Sequence, residues 1–500
     1  MSKLLQEFND TINAVLDLSK KQQYYTVIRI HKRELLNLSY KNSMVDKITI
    51  DTDIGIGMYV FTQSGHVAFG SINDCSKQAC VDLYDTLKQI ASKNQKSGLD
   101  TAEQIFELAK QANLGQDKSH YQSLDIDNIN TSWVIENLEI LDKFISHKEP
   151  SISSLFGFNV EVDTWRIVRN DGTDVDWVVP KTRLSISVTL RNKSQTVNCR
   201  PRIIDTTLEL LFSNLDEFKK RISQSIDMLR DQINANIIMP KTYPIIIDAD
   251  LGGMLAHEAL GHPAESDLVE SGGSALSDSN DKYSIGEKIA HVEVTIEDHE
   301  EDVSHGYHPY GAFGNARLPV KIIDKGLLKE SVSDVFSSKS IGVENKNCER
   351  SEAYYSPAIP RMSNTYISMN KVKKLEHPEG SELNNPVILQ SALKKDGVFK
   401  KYSKIIYLIE MAGGMVTPVT GDFMFGTSFV YELSQDKVEA KKPVSFSGNV
   451  IGALEALEYG MGDVQKNTAG FCGKAEQTAH VRSGGNKLLF FGPTDKIKLA

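Results

Sequence analysis

Apolar positions recur with a helical period over residues 5–20, 79–92, 101–111, 133–147 and 215–235. Each stretch reads as an amphipathic helix. Elsewhere the period drops to two. Residues 24–37 and 47–69 read as strands, and 151–191 alternates apolar and polar about Asn170-Asp171-Gly172, as a hairpin or meander does. Lys93-Asn94-Gln95-Lys96-Ser97-Gly98 is a polar linker. Tyr243-Pro244-Ile245-Ile246-Ile247-Asp248-Ala249-Asp250 reads as a buried strand, and Leu251-Gly252-Gly253 as a tight turn into a helix. Further on, short strands are interrupted by Gly311, Gly314, Gly326, Gly413, Gly414, Gly421, Gly426, Gly448 and Gly452, the pattern of a large antiparallel sheet with long loops. There is no solenoid-type repeat.

Five hundred residues exceed one ordinary core. The expected fold is α+β. Mixed N-terminal (1–98) and middle (99–238) domains precede a large C-terminal domain (239–500), built on extended, mostly antiparallel sheet that carries the helix after Gly253. Pro240 and Pro244 mark the main boundary. With 40% hydrophobic and 24% charged residues the composition is globular, which excludes wholesale disorder. The net charge of -10 argues against nucleic acid or an anionic membrane as the main partner. No apolar run of about 18 residues offers a transmembrane helix, and the N-terminus lacks a signal-peptide core. Five cysteines (Cys75, Cys80, Cys199, Cys348, Cys472) are an odd, sparse set that suits a reducing cytoplasm.

The densest chemistry is His257-Glu258-Ala259-Leu260-Gly261-His262. In the common H-E-x-x-H zinc motif the histidines are four apart on one helix face. Here they are five apart, which on a straight helix separates them by about 140°. Both can face one metal only if the helix bends or ends between them. Gly261 and Pro263 favour that outcome, with His257 and Glu258 on the helix and His262 turning back from its broken end. A catalytic zinc needs a third protein ligand. Cys472, Glu265, Asp267, His291, His299, His305 and His308 are all candidates, and spacing does not choose among them. Cys472, between Gly470 and Gly473, reads by itself as a small buried hydrophobe in a loop, with Lys474 positioned to favour a thiolate. His299, His305 and His308 read as solvent-exposed. Gly55-Ile56-Gly57 is a poor dinucleotide fingerprint, since a strand and not a helix follows it; a strand bulge is the better account. No organic cofactor site is expected.

The hexapeptide, with Glu265 and Asp267, resembles the H-E-x-x-x-H signature of the TldD/PmbA (TldE) metalloprotease family. So do Gly286-Glu287-Lys288-Ile289-Ala290, Arg350, Tyr354, Pro360-Arg361-Met362-Ser363-Asn364-Thr365-Tyr366, Gly413-Gly414-Met415-Val416, Thr420-Gly421-Asp422-Phe423-Met424-Phe425-Gly426 and Cys472-Gly473-Lys474, in the family's order. The first 240 residues agree only in general pattern. The chain departs from the family at Pro263, Ser266 and Ala475-Glu476-Gln477, which border the site and bear on substrate preference. The resemblance implies the catalytic TldD-type subunit: a Zn²⁺ held by His257, His262 and Cys472, with Glu258 as general base. It implies hydrolysis of unfolded or short peptides, bound as an added strand inside a dimer cavity. The partner would be a second copy or a metal-free TldE-type paralogue. A non-catalytic peptide-binding subunit and a processing enzyme dedicated to one precursor peptide are the alternatives.

Overall fold

The computed structural model describes residues 4–93, 120–122, 124–149, 151–193, 195–299 and 304–500. The expected helix at 101–111 and most of the polar linker before it lie outside the described residues.

Period-two alternation in the first half builds one antiparallel sheet. Its main strands are β1 (Tyr25–Lys41), β2 (Met44–Phe61), β3 (Val67–Ile72), β4 (Ile152–Arg169) and β5 (Asp174–Arg191), in the order β3-β2-β1-β4-β5. β1 is hydrogen-bonded along its length to both β2 and β4. The expected boundary at residue 98 therefore falls between strands of a single sheet. Gly55 and Gly57 are not a bulge, because the β1–β2 register runs through them unbroken and shifts only at Ser39/Tyr40. Their reason is tertiary. A Cβ at Gly55 would lie 2.3 Å from the Tyr354 ring, and one at Gly57 2.2 Å from the Tyr354 carbonyl oxygen.

Among the described residues the second half forms a 13-stranded sheet. At its centre the short apolar strand Ile245–Asp248 lies parallel to Lys404–Thr417 and antiparallel to Gln477–Phe491. Gln477–Phe491 continues antiparallel with Leu457–Lys474 and parallel with Asn364–Met369. The architecture is α+β with a mostly antiparallel C-terminal sheet, as the patterning implied. The helix Leu215–Gln232 buries Phe218, Ile222, Ile226 and Leu229. They belong to an apolar cluster that joins Phe156 and Leu184 of the first sheet to Tyr407 and Phe490 of the second. No helix among the described residues is long and apolar enough to cross a membrane.

Candidate active site

The strand Ile245–Asp248 delivers the chain straight into a helix. The Asp248 side chain accepts from the Leu251 N–H at 3.0 Å, an N-cap, and the helix Ala249–Ala256 starts there. Gly252 and Gly253 thus lie inside the helix, not in a turn before it. A Cβ at Gly253 would sit 2.6 Å from the Gly484 nitrogen. Its absence lets the helix rest directly on the backbone of Gln477–Phe491.

The spacing of the histidines is then met by a change of helix type, not by a break. His257–Gly261 is one π turn, closed by the His262 N–H donating to the His257 carbonyl at 3.2 Å. His262 keeps helical backbone angles (φ -62°, ψ -48°). A π turn bonds residue i to i+5, and so stacks the two residues that an α-turn would splay apart. The imidazole centroids end up 5.3 Å apart. Pro263 has no N–H to extend the turn, which stops there. Gly261 serves packing: a Cβ would fall 1.7 Å from the Met362 sulfur.

Across the turn stands Cys472, on a strand (Leu457–Lys474) where a loop was expected. His257, His262 and Cys472 are all buried, and their ligand atoms lie within 4.8 Å of one another. Cys472 Sγ is 3.2 Å from His262 Nε2. Glu258 is partly open, with Oε2 3.9 Å from the same nitrogen. Burial alone would raise the Cys472 thiol, but the two imidazoles outweigh it and hold the thiol well below its ordinary value. Burial opposes protonation of both histidines. Glu265 and Cys472 nevertheless raise His262 well above the usual imidazole value, while Cys472 and Glu258 raise His257.

This set fits a zinc ion. Among the described residues neither ring nitrogen of His257 has a hydrogen-bond partner, although both are buried. Such orphaned atoms are costly unless something outside the polypeptide binds them. Ligands at about 2.3 Å (S) and 2.0–2.1 Å (N) on one tetrahedral ion lie roughly 3.6 Å apart, close to the spacing seen here. The other His262 nitrogen, Nδ1, is 2.9 Å from Glu265 Oε2. Lys474 Nζ in turn holds Glu265 at 2.9 Å and Asp267 at 2.6 Å. Burial would raise the Glu265 carboxyl, but Lys474 and His262 depress it to about 2. Of the two carboxylates that were candidate ligands by sequence, Glu265 therefore backs the His262 ring, while Asp267 bonds Lys474 and not His262. A carboxylate behind a ligating imidazole fixes its tautomer.

The other candidates lie elsewhere. His291 and His299 are half-buried, and the His291 Nδ1 accepts from the Glu293 N–H. His305 and His308 are buried, not exposed as expected. His305 packs against Phe471 and His480, whose register pairing places them one residue from the Cys472–Ala479 pair and so on the opposite face of the hairpin. On that face Glu161, Asp163 and His480 also converge within 4.8 Å. Asp163, however, already holds His31, Arg33 and Lys181 at 2.8–2.9 Å, so two fixed cations stand where a metal would need to be. Sequence reasoning did not single out Arg361, which donates to the Cys472 carbonyl and, at 3.2 Å, to the Gln477 carbonyl, pinning both ends of the hairpin turn. Its only sequence signal was its place in the Pro360–Tyr366 run.

Comparison with known proteins gives a consistent picture. Residues 240–478 match the PmbA/TldA metallopeptidase C-terminal domain. The chain is 28% identical over 356 residues to a metalloprotease of Archaeoglobus fulgidus (71% of this chain, 75% of that protein). It is 22% identical over 480 residues to a metalloprotease TldD homolog of Buchnera aphidicola (92% and 89%). It is 27% identical over 304 residues to a zinc metalloprotease TldD homolog of Saccharolobus solfataricus (60% and 62%). The crystal structure of TldE from Thermococcus kodakarensis superposes with a TM-score of 0.73 at 12% identity, covering 98% of this chain and all of that one, which shows a shared fold.

Proposed function

The chain belongs to the PmbA/TldD family, and from that premise we propose that it is a zinc-dependent peptidase acting on unfolded or short peptides. The observation that carries the reading is the buried trio His257, His262 and Cys472, with unpartnered His257 nitrogens and Glu258 at its open side. These three residues would hold the metal. Zinc, when bound, would acidify a water and polarise the scissile carbonyl. Glu258, on the same turn and partly solvent-exposed, accepts the proton of the attacking water and returns it to the leaving amine. Glu265 keeps the His262 ring in one orientation throughout, and Lys474 keeps Glu265 ionised.

A peptide would dock as an added strand. Among the described residues Leu457–Lys474 pairs, apart from its hairpin partner, only with Val372–Lys373, at Gly460 and Met461. The outer edge running on toward Cys472 is otherwise unpaired among the described residues. An unpaired edge binds backbone, which favours broad specificity and excludes folded substrates. A dimer, either of two copies or with a metal-free TldE-type paralogue, and a cytoplasmic setting belong to the same reading. All five cysteines are free, as such a setting would have them.

The test is zinc analysis alongside digestion of an unstructured peptide. Glu258→Gln should keep about one zinc per chain while turnover falls by roughly 10²–10⁴-fold. A Glu258→Gln variant that digests normally would overturn the reading.

A further inference from the structure

The loop around residues 349–361 is tied down on three sides. Glu349–Arg350 pairs with Ile359–Pro360 as a two-stranded ribbon. From the first sheet, Arg29 donates to Ser351 and to the Ser356 carbonyl, Arg33 to the Glu352 carbonyl, and the Ala358 N–H donates to the Tyr59 hydroxyl. At the other end Arg361 grips the Cys472 carbonyl. Within this frame Arg350 is 5% exposed. One nitrogen, Nη1, donates to the Met362 carbonyl at 2.7 Å. Met362 is the residue whose sulfur packs against Gly261 of the histidine turn. Among the described residues no carboxylate pairs with Arg350 and the Nη1 bond is its one side-chain hydrogen bond; its Nε and Nη2 are not sealed from solvent as the unpartnered Arg361 Nε is.

Such burial of an unpaired cation is costly. The neighbours deepen the deficit. Arg317 and Arg361 repel Arg350, and Asp298 is already held by Arg317, by the Ser363 N–H and by Thr365. Burial holds the adjacent Glu349 carboxyl up at about 8, so it is mostly neutral at pH 7. Burial lowers the Arg350 guanidinium to about 9, still cationic at pH 7, and it lies within electrostatic reach of Cys472. A rigid, charged fork with free donors, joined to the histidine turn through Met362, matches a planar anion.

Resting on the peptidase reading, we propose that Arg350 is a specificity residue that binds the C-terminal carboxylate of a short peptide, so that this chain prefers bonds near a free C-terminus. The full-length Glu258→Gln variant, zinc-loaded and with any partner that co-purifies, allows binding to be read without cleavage. The probe is a fluorescein-labelled unstructured hexapeptide, as free acid and as C-terminal amide, followed by anisotropy. The acid should bind at least tenfold tighter. That preference should fall below twofold when Arg350→Gln is added and be partly restored by Arg350→Lys. Equal binding of acid and amide overturns the inference and leaves the peptidase reading intact. So does a preference that survives Arg350→Gln. Should Arg350→Gln not fold, the acid–amide comparison in the parent and in Arg350→Lys decides the matter. Binding of neither peptide overturns both proposals.

Discussion

Replacing Gly253 by Ala sets two effects against each other. In a helix interior Ala is favoured over Gly by about 1 kcal/mol, so propensity alone makes the variant more stable. The structure says otherwise. The new Cβ would stand 2.6 Å from the Gly484 nitrogen, 2.8 Å from Ser483 Oγ and 2.9 Å from Gly484 Cα. Two of these atoms are backbone. Gly484 pairs with Tyr366 on one edge, while its neighbours Ser483 and Gly485 pair with Thr468 and Gln465 on the other, so the sheet cannot yield. The helix must lift by about 0.8 Å to restore the 3.4 Å of ordinary contact. Overpacking of this kind costs about 1–3 kcal/mol, enough to cancel or exceed the propensity gain. The functional consequence is sharper. His257 lies one turn further along the displaced helix, whereas Cys472 stays on the sheet. Metal–ligand distances tolerate only about 0.2 Å, so zinc affinity should fall at least tenfold. Denaturant unfolding and competition with a chromophoric chelator measure the two effects separately. A variant that is more stable than the parent and binds zinc within twofold of it would refute the packing argument.

Four further outcomes follow from the same geometry. Cys472→Ala should lower zinc content by elemental analysis, and unchanged stoichiometry would remove it as a ligand. Adding excess chelator to zinc-loaded protein should lower the melting temperature, because metal at a hundred times its Kd stabilises by about 2.7 kcal/mol; identical melting curves would count against a bound metal. Glu349 gives a pH signature. Its folded carboxyl sits at about 8, chiefly through burial and then Asp334, against 4.5 unfolded. The unfolded chain therefore ionises first, and stability is lost as pH rises from 4.5 to 8, by up to about 1.4 kcal/mol per unit. Glu349→Gln should flatten that slope in urea titrations run across the range, and a slope left unchanged would contradict the assignment. Gly57→Ala should destabilise the seating of the Tyr354 loop on the first sheet, since the atom struck at 2.2 Å is a backbone oxygen. Faster proteolysis near residues 351–356 is the readout.

Local pattern carried much of the fold. Strand alternation over 24–37 and 151–191 reappears as β1, β4 and β5, and Asn170-Asp171-Gly172 lies at the turn between β4 and β5. Helical periodicity at 133–147 and 215–235 reappears as Thr131–Lys148 and Leu215–Gln232. Glycines were misread because their reasons were remote. Gly57, Gly253 and Gly261 are small so that Tyr354, Gly484 and Met362 can approach, and no local period encodes a neighbour 100 or more residues away.

In the site, the sequence by itself determined the chemistry: two imidazoles and a carboxylate on one turn, their spacing of five, and the demand that the helix depart from α geometry between them. Only the tertiary structure decided how that demand is met and which side chains share the site. A π turn satisfies it without breaking the helix, because the i→i+5 bond stacks the rings while the backbone stays hydrogen-bonded. Cys472 and not His305 stands opposite that turn, because strand alternation sends Cys472 to one face of its hairpin and Phe471, which packs on His305, to the other. Those are consequences of register and of packing across the sheet. Both are set by contacts made some 200 residues apart, which a linear pattern of apolar and polar positions does not contain.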